Sequence, residues 1–416
     1  MDKFMPKLLQ INITANWGST GKIAESIGLA AIEHGWESYI AYGRWCNPSQ
    51  SHLIKIGSRL DTYLHYGEQR IRDNEGLCSR RATRKLIDQI KKINPDIIHL
   101  HNLHDHYLNY RILFEFLNKT NIKVVWTFHD FWAVTGHCMH FVTVGCERYK
   151  SGCYECPMQK VYPKSFFERS SKNYAIKKDL FSANTELTIV PVSEWVGESV
   201  RYSFLKNKKI QVIPNGIDTK IFKPTELTVL SDSRYNAFLN GVKDKYVIMS
   251  VASEWKQDKG LNDFIAMSQM LGSDEVIVLV GLNDGVIANL PNNIIGLKRT
   301  SSMEELAALY TRADVICSLS SAETFGLTIV EGYACGTPAV VYDNTAPPLL
   351  IRDETGFVVE NKNFKQAYLA IQSIKSNGKS YYHDACIKLA NDHFDKDKCF
   401  EKYIELYNEL LRSNGE

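Results

Sequence analysis

Glu323-Thr-Phe-Gly-Leu-Thr-Ile-Val-Glu331, running on into Gly332-Tyr-Ala-Cys-Gly-Thr-Pro338, is the stretch on which the reading of this chain turns. Two carboxylates stand eight residues apart across a Phe-Gly turn, where an apolar strand ends and a new helix begins. A helix start leaves several backbone N–H groups outside the helix's own bonding and carries the positive end of its dipole, so it attracts phosphate. A carboxylate before the turn and another one to two helical turns later can grip sugar or ribose hydroxyls on either side of that phosphate. The layout is the one a nucleotide diphosphate sugar needs. Taken alone, two glutamates at this spacing favour a plainer reading, a surface helix with scattered acids.

The chain around that stretch has 416 residues, which points to two domains of about 200 residues each. A hydrophobic share of 44% beside 23% charged residues belongs to a globular protein, and a net charge of +2 excludes a bulk nucleic-acid binder. Met1 to Gln10 leads straight into a short apolar strand, without the longer apolar region and cleavage site of a signal peptide. No window approaches the ~18–20 apolar residues of a membrane span. A cytoplasmic location is the expectation, with the ten cysteines as reduced thiols or metal ligands.

Apolar periodicity alternates between strand and helix along the whole chain. Strands are predicted at 7–14, 36–42, 96–101, 123–128, 187–192 and 209–213, with helices at 23–34, 81–92, from 107, at 170–182 and from 194. A second series of strands is predicted at 246–251, 275–280, 315–319, 339–342 and 356–359, closed by a long helix over 398–411. Such alternation makes parallel sheets covered on both faces. Pro214-Asn-Gly-Ile-Asp218 is turn chemistry and marks the boundary between the two series.

The glutamate pair with its Gly-Thr-Pro, taken with Pro214-Asn-Gly-Ile-Asp218 and Phe222, resembles the signature of family 4 retaining glycosyltransferases. The resemblance implies the α/β GT-B fold, two Rossmann-like domains facing across an interdomain cleft. Residues 1–213 would form the acceptor domain, with a Cys-rich insertion at about 135–163. Residues 214–395 would form the donor domain, and 396–416 a helix crossing back to the first. It further implies that Glu323 binds hydroxyls of the transferred sugar and that Glu331 takes the ribose. The amides of Phe325, Gly326, Leu327 and Thr328 would face the sugar or diphosphate. Lys259, before Gly260, would neutralise the leaving diphosphate. Glu254 stands where the family commonly has an Arg, and Lys256 is the candidate to supply that charge. Arg299 would border the base.

In the first half, Gly18-Ser-Thr-Gly-Lys22 has two residues where a P-loop needs four. Gly18 instead fits a close backbone approach to the donor phosphate or the acceptor. His129 and Asp130 end a strand. By resemblance His129 contacts and orients the sugar, while Asp130 holds that imidazole or the acceptor. His101, Asn102 and His104, at the end of the preceding strand, are acceptor-side candidates. The implied reaction moves a sugar from a UDP- or GDP-sugar to a glycan, lipid-linked, in bacterial surface polysaccharide assembly, with no catalytic metal.

Cys138, Cys146, Cys153 and Cys156 fall within nineteen residues, and four thiolates suit structural zinc. His137 and His140 are substitute ligands, and free buried thiols or a redox pair are the alternatives. Arg70–Lys92 holds eight basic and three acidic residues, either a solvated face or a contact for anionic lipid head groups. Two other functions fit parts of the pattern: a GT-B nucleotide-sugar epimerase, and a non-catalytic, zinc-organised binding protein.

Overall fold

Strands such as Leu-Leu-Gln-Ile-Asn, buried along their whole length, have no solvent face and so require cover on both sides. The computed structural model, which describes residues 5–255 and 257–412 with the side chain of Gln257 excepted, supplies that cover in two units. One comprises Met1–Pro214 with Cys399–Glu416, the other Asn215–Lys398.

In the first unit β1 (Lys7–Asn12) leads through α1 (Gly18–Glu33) to β2 (Glu37–Tyr42) and β3 (His52–Lys55). Helices α2 (Arg59–Arg72) and α3 (Arg80–Ile93) precede β4 (Ile97–Leu100), and α4 (Tyr110–Leu117) precedes β5 (Lys123–Phe128). Beyond the Cys-rich segment come α5 (Ser170–Ala183), β6 (Leu187–Pro191), α6 (Glu194–Arg201) and β7 (Lys209–Ile210). The sheet is parallel throughout, in the order β3-β2-β1-β4-β5-β6-β7. The chain therefore winds outward from β1 and then restarts on its other side at β4.

In the second unit α7 (Asn236–Gly241) precedes β8 (Tyr246–Val251), α8 (Leu261–Ser268) and β9 (Glu275–Val280). Next come α9 (Asp284–Ile287), β10 (Ile294–Leu297), α10 (Met303–Arg312) and β11 (Val315–Ser318). They are followed by α11 (Leu327–Ala334), β12 (Ala339–Tyr342), β13 (Gly356–Val359), α12 (Phe364–Asn377) and α13 (Lys379–His393). Its sheet, again parallel, runs β10-β9-β8-β11-β12-β13, with the reversal between β8 and β11.

The structure departs from periodicity at four places. Helix α1 begins at Gly18, five residues before its apolar repeat starts. The edge strand β3 is mostly exposed and carries no alternating pattern. The short β10 follows a Pro-Asn-Asn turn and pairs only with β9. Helix α2 buries His65 and Gln69 and turns apolar residues outward, the reverse of the usual signal.

The last helix, α14 (Lys396–Arg412), is amphipathic, and its buried Phe400, Tyr403, Ile404, Tyr407 and Leu410 recur at spacings of three and four, along one face. They complete the core of the first unit against Leu8, Ile27, Trp36, Ile97 and Val125. Two of them end in polar atoms inside that core. The Tyr407 hydroxyl bonds His99 Nδ1 at 2.6 Å, and that of Tyr403 bonds Thr127 Oγ1 at 3.0 Å. Tyr407→Ala is expected to lower stability by about 3–5 kcal/mol through the cavity it leaves. Tyr407→Phe, which only strips the hydroxyl from buried His99, is expected to cost about 1–3 kcal/mol. Denaturant unfolding of both variants measures the difference; a Tyr407→Phe variant as stable as the wild type would mean that the hydroxyl contributes nothing.

Candidate active site

Where strand order reverses in a parallel sheet, the two flanking loops leave in opposite directions and open a crevice beyond the strands' carboxyl ends. In the second unit those loops are Ala252–Gly260 after β8 and Leu319–Gly326 after β11. They are stitched together by one carbonyl: Asp258 O accepts from Ser321 N at 2.8 Å and from Ser320 Oγ at 3.1 Å. Gly260 permits this closeness. Its φ is +76°, and a Cβ there would stand 2.5 Å from the Leu319 carbonyl oxygen.

The stitch places Lys259 Nζ 2.5 Å from Glu323 Oε1, both about a quarter exposed. The Glu323 backbone is clamped from the loop after β12. Its N–H donates to Thr345 Oγ1 at 3.2 Å, and its carbonyl accepts from Ala346 N at 3.2 Å. Thr345, at φ +55°, lies in the run Asn344–Pro348, and no sequence signal marked it.

Three residues after Glu323, Gly326 caps α11 at φ +110°, so the first amides of Leu327 and Thr328 lie outside the helix ladder beside the ion pair. Phe325 is buried, with its ring 5.7 Å from that of Phe394, which anchors the turn. Glu331 lies on the second turn of α11 and accepts from the Tyr310 hydroxyl at 2.8 Å. Arg299 is exposed on the loop after β10, two strands from the reversal. Glu254 is exposed, and Lys256 lies outside the described residues.

The reversal in the first unit lies between β1 and β4. Gly18, at φ +67°, opens α1 there. Its neighbour Gly21 leaves room for Thr14, whose Oγ1 would stand 2.5 Å from a Cβ. His101 follows β4 and His129 follows β5, and a buried relay joins them. Gln10 Nε2 donates to the Ala24 carbonyl at 2.7 Å, which turns Gln10 Oε1 toward His101 Nε2 at 3.0 Å. That oxygen only accepts, so the His101 proton sits on Nε2 and its Nδ1 is a lone pair. His129 Nε2 then donates to it at 3.2 Å, which leaves His129 its own lone pair at Nδ1. Burial depresses both rings, His129 to about 4 and His101 well below the ordinary histidine value, so both are neutral.

Asp130 does not hold the His129 ring. Its Oδ2 is 2.8 Å from His104 Nε2, and its Oδ1 accepts from Trp132 N at 2.8 Å. Burial alone would raise the carboxyl, but the His104 charge overrides it and brings Asp130 to about 2. Asn102 turns its carbonyl to the Tyr107 hydroxyl, 2.7 Å away. Lys177, fully buried on α5, donates to the carbonyls of Trp132 and Thr135 at 2.5 and 3.0 Å. It thereby tethers the start of the Cys-rich segment, and burial lowers its amine to about 7.

All ten cysteines are free thiols. Cys138, Cys146, Cys153 and Cys156 line one small pocket together with His137. Among the described residues, no group of three or more His, Cys, Asp or Glu side chains is gathered closely enough to hold a metal ion. No described helix is long and apolar enough to cross a membrane.

Residues 24–221 match the family described as Glycosyltransferase Family 4, and 236–390 match Glycosyl transferases group 1. The chain is 24% identical over 374 residues to the "Putative colanic acid biosynthesis glycosyl transferase WcaC" of Escherichia coli (strain K12), spanning 86% of this chain and 88% of that one. Among solved structures, sucrose-phosphate synthase from Thermosynechococcus elongatus superimposes with a TM-score of 0.72 at 18% identity, over 98% of this chain and 100% of that one. Anabaena HepE in complex with UDP gives 0.65 at 13% identity, over 97% and 100%. At such identities the structural likeness concerns the fold.

The neutral histidines carry a consequence for pH. His65 and His129 are held near 4, and His99 and His101 well below the ordinary value, all by burial first. An unfolded chain takes up these protons near pH 6.5 and the folded one does not, so their stability is present above that pH and lost as pH falls toward 4. His106 is raised to about 9 because Asp105 and Glu75 outweigh its burial; its contribution is complete below pH 6.5 and does not offset the loss. The thermal midpoint is expected to drop by roughly several degrees from pH 7 to pH 5. A flat calorimetric profile over that range would contradict neutral packing of these rings.

Proposed function

We propose that this chain, which belongs to glycosyltransferase family 4 and has the GT-B fold, moves a sugar from a UDP- or GDP-sugar to a glycan acceptor with retention of anomeric configuration. Polysaccharide biosynthesis is the setting suggested by the name of the Escherichia coli relative, and our reading makes the acceptor lipid-linked. The observation that carries the proposal is the Lys259–Glu323 pair beside the start of α11, at the reversal of the second sheet.

Without donor, the carboxylate holds the ammonium group in place. With donor bound, Lys259 and the first amides of α11 face the diphosphate, Glu323 takes hydroxyls of the transferred sugar, and Glu331 takes the ribose. The bond from the anomeric carbon to the phosphate oxygen breaks as the bond to the acceptor oxygen forms on the same face. The acceptor proton passes to the departing phosphate oxygen. Charge grows on that diphosphate, and a fixed cation aimed at it lowers the barrier. His129, neutral with a lone pair at Nδ1, accepts a hydrogen bond from a sugar hydroxyl and does not act as an acid.

Incubation with a panel of UDP- and GDP-sugars, with and without membrane extract, tests this by nucleotide release. Release is expected to need both the extract and Glu323, and Lys259→Ala is expected to lose roughly 10²–10³ in kcat. Epimerised sugar produced without any acceptor would replace the transferase reading with an epimerase. Absence of donor binding across the panel would favour a binding protein.

The same proposal includes structural zinc on Cys138, Cys146, Cys153 and Cys156, supported by the shared pocket of four thiols. Thiolate–zinc bonds of about 2.3 Å would draw the four sulfurs together. About one zinc per chain is expected by elemental analysis of protein purified without chelator. Well-folded protein free of zinc would remove the ion from the reading.

A further inference from the structure

Helix α2 is inside out. Its buried side chains are His65 and Gln69, both polar and both bonded inward. His65 Nδ1 meets Ser79 Oγ at 2.9 Å, and Gln69 Nε2 donates to the carbonyls of Pro163 and Lys164 at 3.0 and 3.2 Å. Outward, at spacings of three, four and seven, stand Leu60, Tyr63, Leu64 and Ile71, between 52 and 72% exposed. A surface helix in water does the opposite. The helix is well made, with Ser58 and Asp61 forming a reciprocal capping box, so fraying does not explain the exposure.

A second segment widens the stripe. The amides of Phe166 and Phe167 donate to the carbonyls of Arg70 and Ile71 at 2.8 and 3.3 Å. This docks two further rings, 69 and 68% exposed, against the end of α2. Monomeric proteins rarely leave so many large apolar side chains contiguous in solvent.

The surroundings are basic. Arg59, Arg70, Arg72 and Lys164 border the stripe in sequence or by the contacts above, and the charges of Lys85 and Arg81 on α3 reach Asp61. The nearby acids are engaged: Asp61 in the capping box, and Glu68 with Asn74 at 2.8 Å and Arg72 at 3.7 Å. Arg70 lies over the Phe166 ring, 5.2 Å from its centroid.

We infer that α2 and Phe166–Phe167 form a docking face that seats in the head-group boundary of an anionic bilayer. Apolar side chains enter the acyl edge while the arginines and lysines meet lipid phosphates. A second copy of the chain fits less well, because a two-fold contact would set one basic rim against another. The face uses the whole of α2 and Phe166–Phe167, whereas the expectation for 70–92 reached only the last turn of α2, Arg70 to Arg72. Helix α3 buries Ala82, Leu86, Ile87 and Ile90, so it contributes charge but no apolar surface.

The test is co-sedimentation of the full chain with vesicles of phosphatidylcholine, alone or mixed with phosphatidylglycerol. The expected result is binding to the mixed vesicles that weakens with salt, little binding to the neutral ones, and a loss of about tenfold or more in Tyr63→Ser/Leu64→Ser/Phe166→Ser. Circular dichroism and nucleotide-sugar binding, which depends on the second unit, are expected to be unchanged in that variant. This separates failure of the docking face from failure of the transferase reading. Wild-type protein that ignores the mixed vesicles would overturn the inference, as would a triple variant that binds them equally well. A wild-type dimer in light scattering that the triple variant converts to monomer would reassign the face to self-association.

Discussion

Parallel strands buried on both faces constrain everything else in this molecule. Each strand must be covered on both sides, and each connection must return from one end of the sheet to the other. A chain that winds outward from a central strand and restarts on its other side leaves two neighbouring loops diverging, with no side chain destined to fill the space between them. This occurs between β1 and β4 and again between β8 and β11. Glu323 and Lys259 gather at the second reversal, and Gly18 and His101 flank the first.

The two reversals are stiffened by different means. In the second unit the device is backbone: the Asp258 carbonyl with two donors, and a glycine where any Cβ would strike Leu319. In the first unit the device is a set of buried side chains. His99 lies on β4 with His101 just past its end, Thr127 lies on β5 with His129 just past its end, and the hydroxyls of Tyr403 and Tyr407 reach up from α14. A buried polar network whose members are paired is rigid, because breaking any one bond exposes a polar group to a medium that cannot solvate it. The last helix thus fills the core and also sets the level on which His101 and His129 rest.

The same logic accounts for the Cys-rich segment and for the unusual face of α2. Asp73, which ends α2 at φ +50°, accepts from His137 at 2.5 Å and from the Arg169 amide at 3.0 Å, and Asn173 donates to its carbonyl. Lys177 secures the carbonyls of Trp132 and Thr135 nearby. Ordering by buried polar groups means that the segment and α2 need little apolar burial where they meet. Their large apolar residues are left to face outward.

Sequence alone determined most of the two series of alternating strands and helices, because burial on both faces writes itself as local apolar runs; the exposed edge strand β3 and the short β10 left no such mark. It also marked Glu323, Glu331, Lys259-Gly260 and His129-Asp130, since each lies where a strand ends or a helix begins and the chemistry is carried by neighbours in the chain. Tertiary structure alone decided which groups those residues engage. Asp130 turns to His104, 26 residues away, and not to adjacent His129; Gln10 sets the proton on His101 across 91 residues; Thr345 holds the Glu323 amide across 22. The exposed stripe of α2 was equally invisible, because a periodic apolar pattern states that one face differs from the other and not which one meets the core. The physical reason is common to all four cases. A hydrogen bond or a buried face depends on where folding brings distant segments together, and local periodicity carries no record of that meeting.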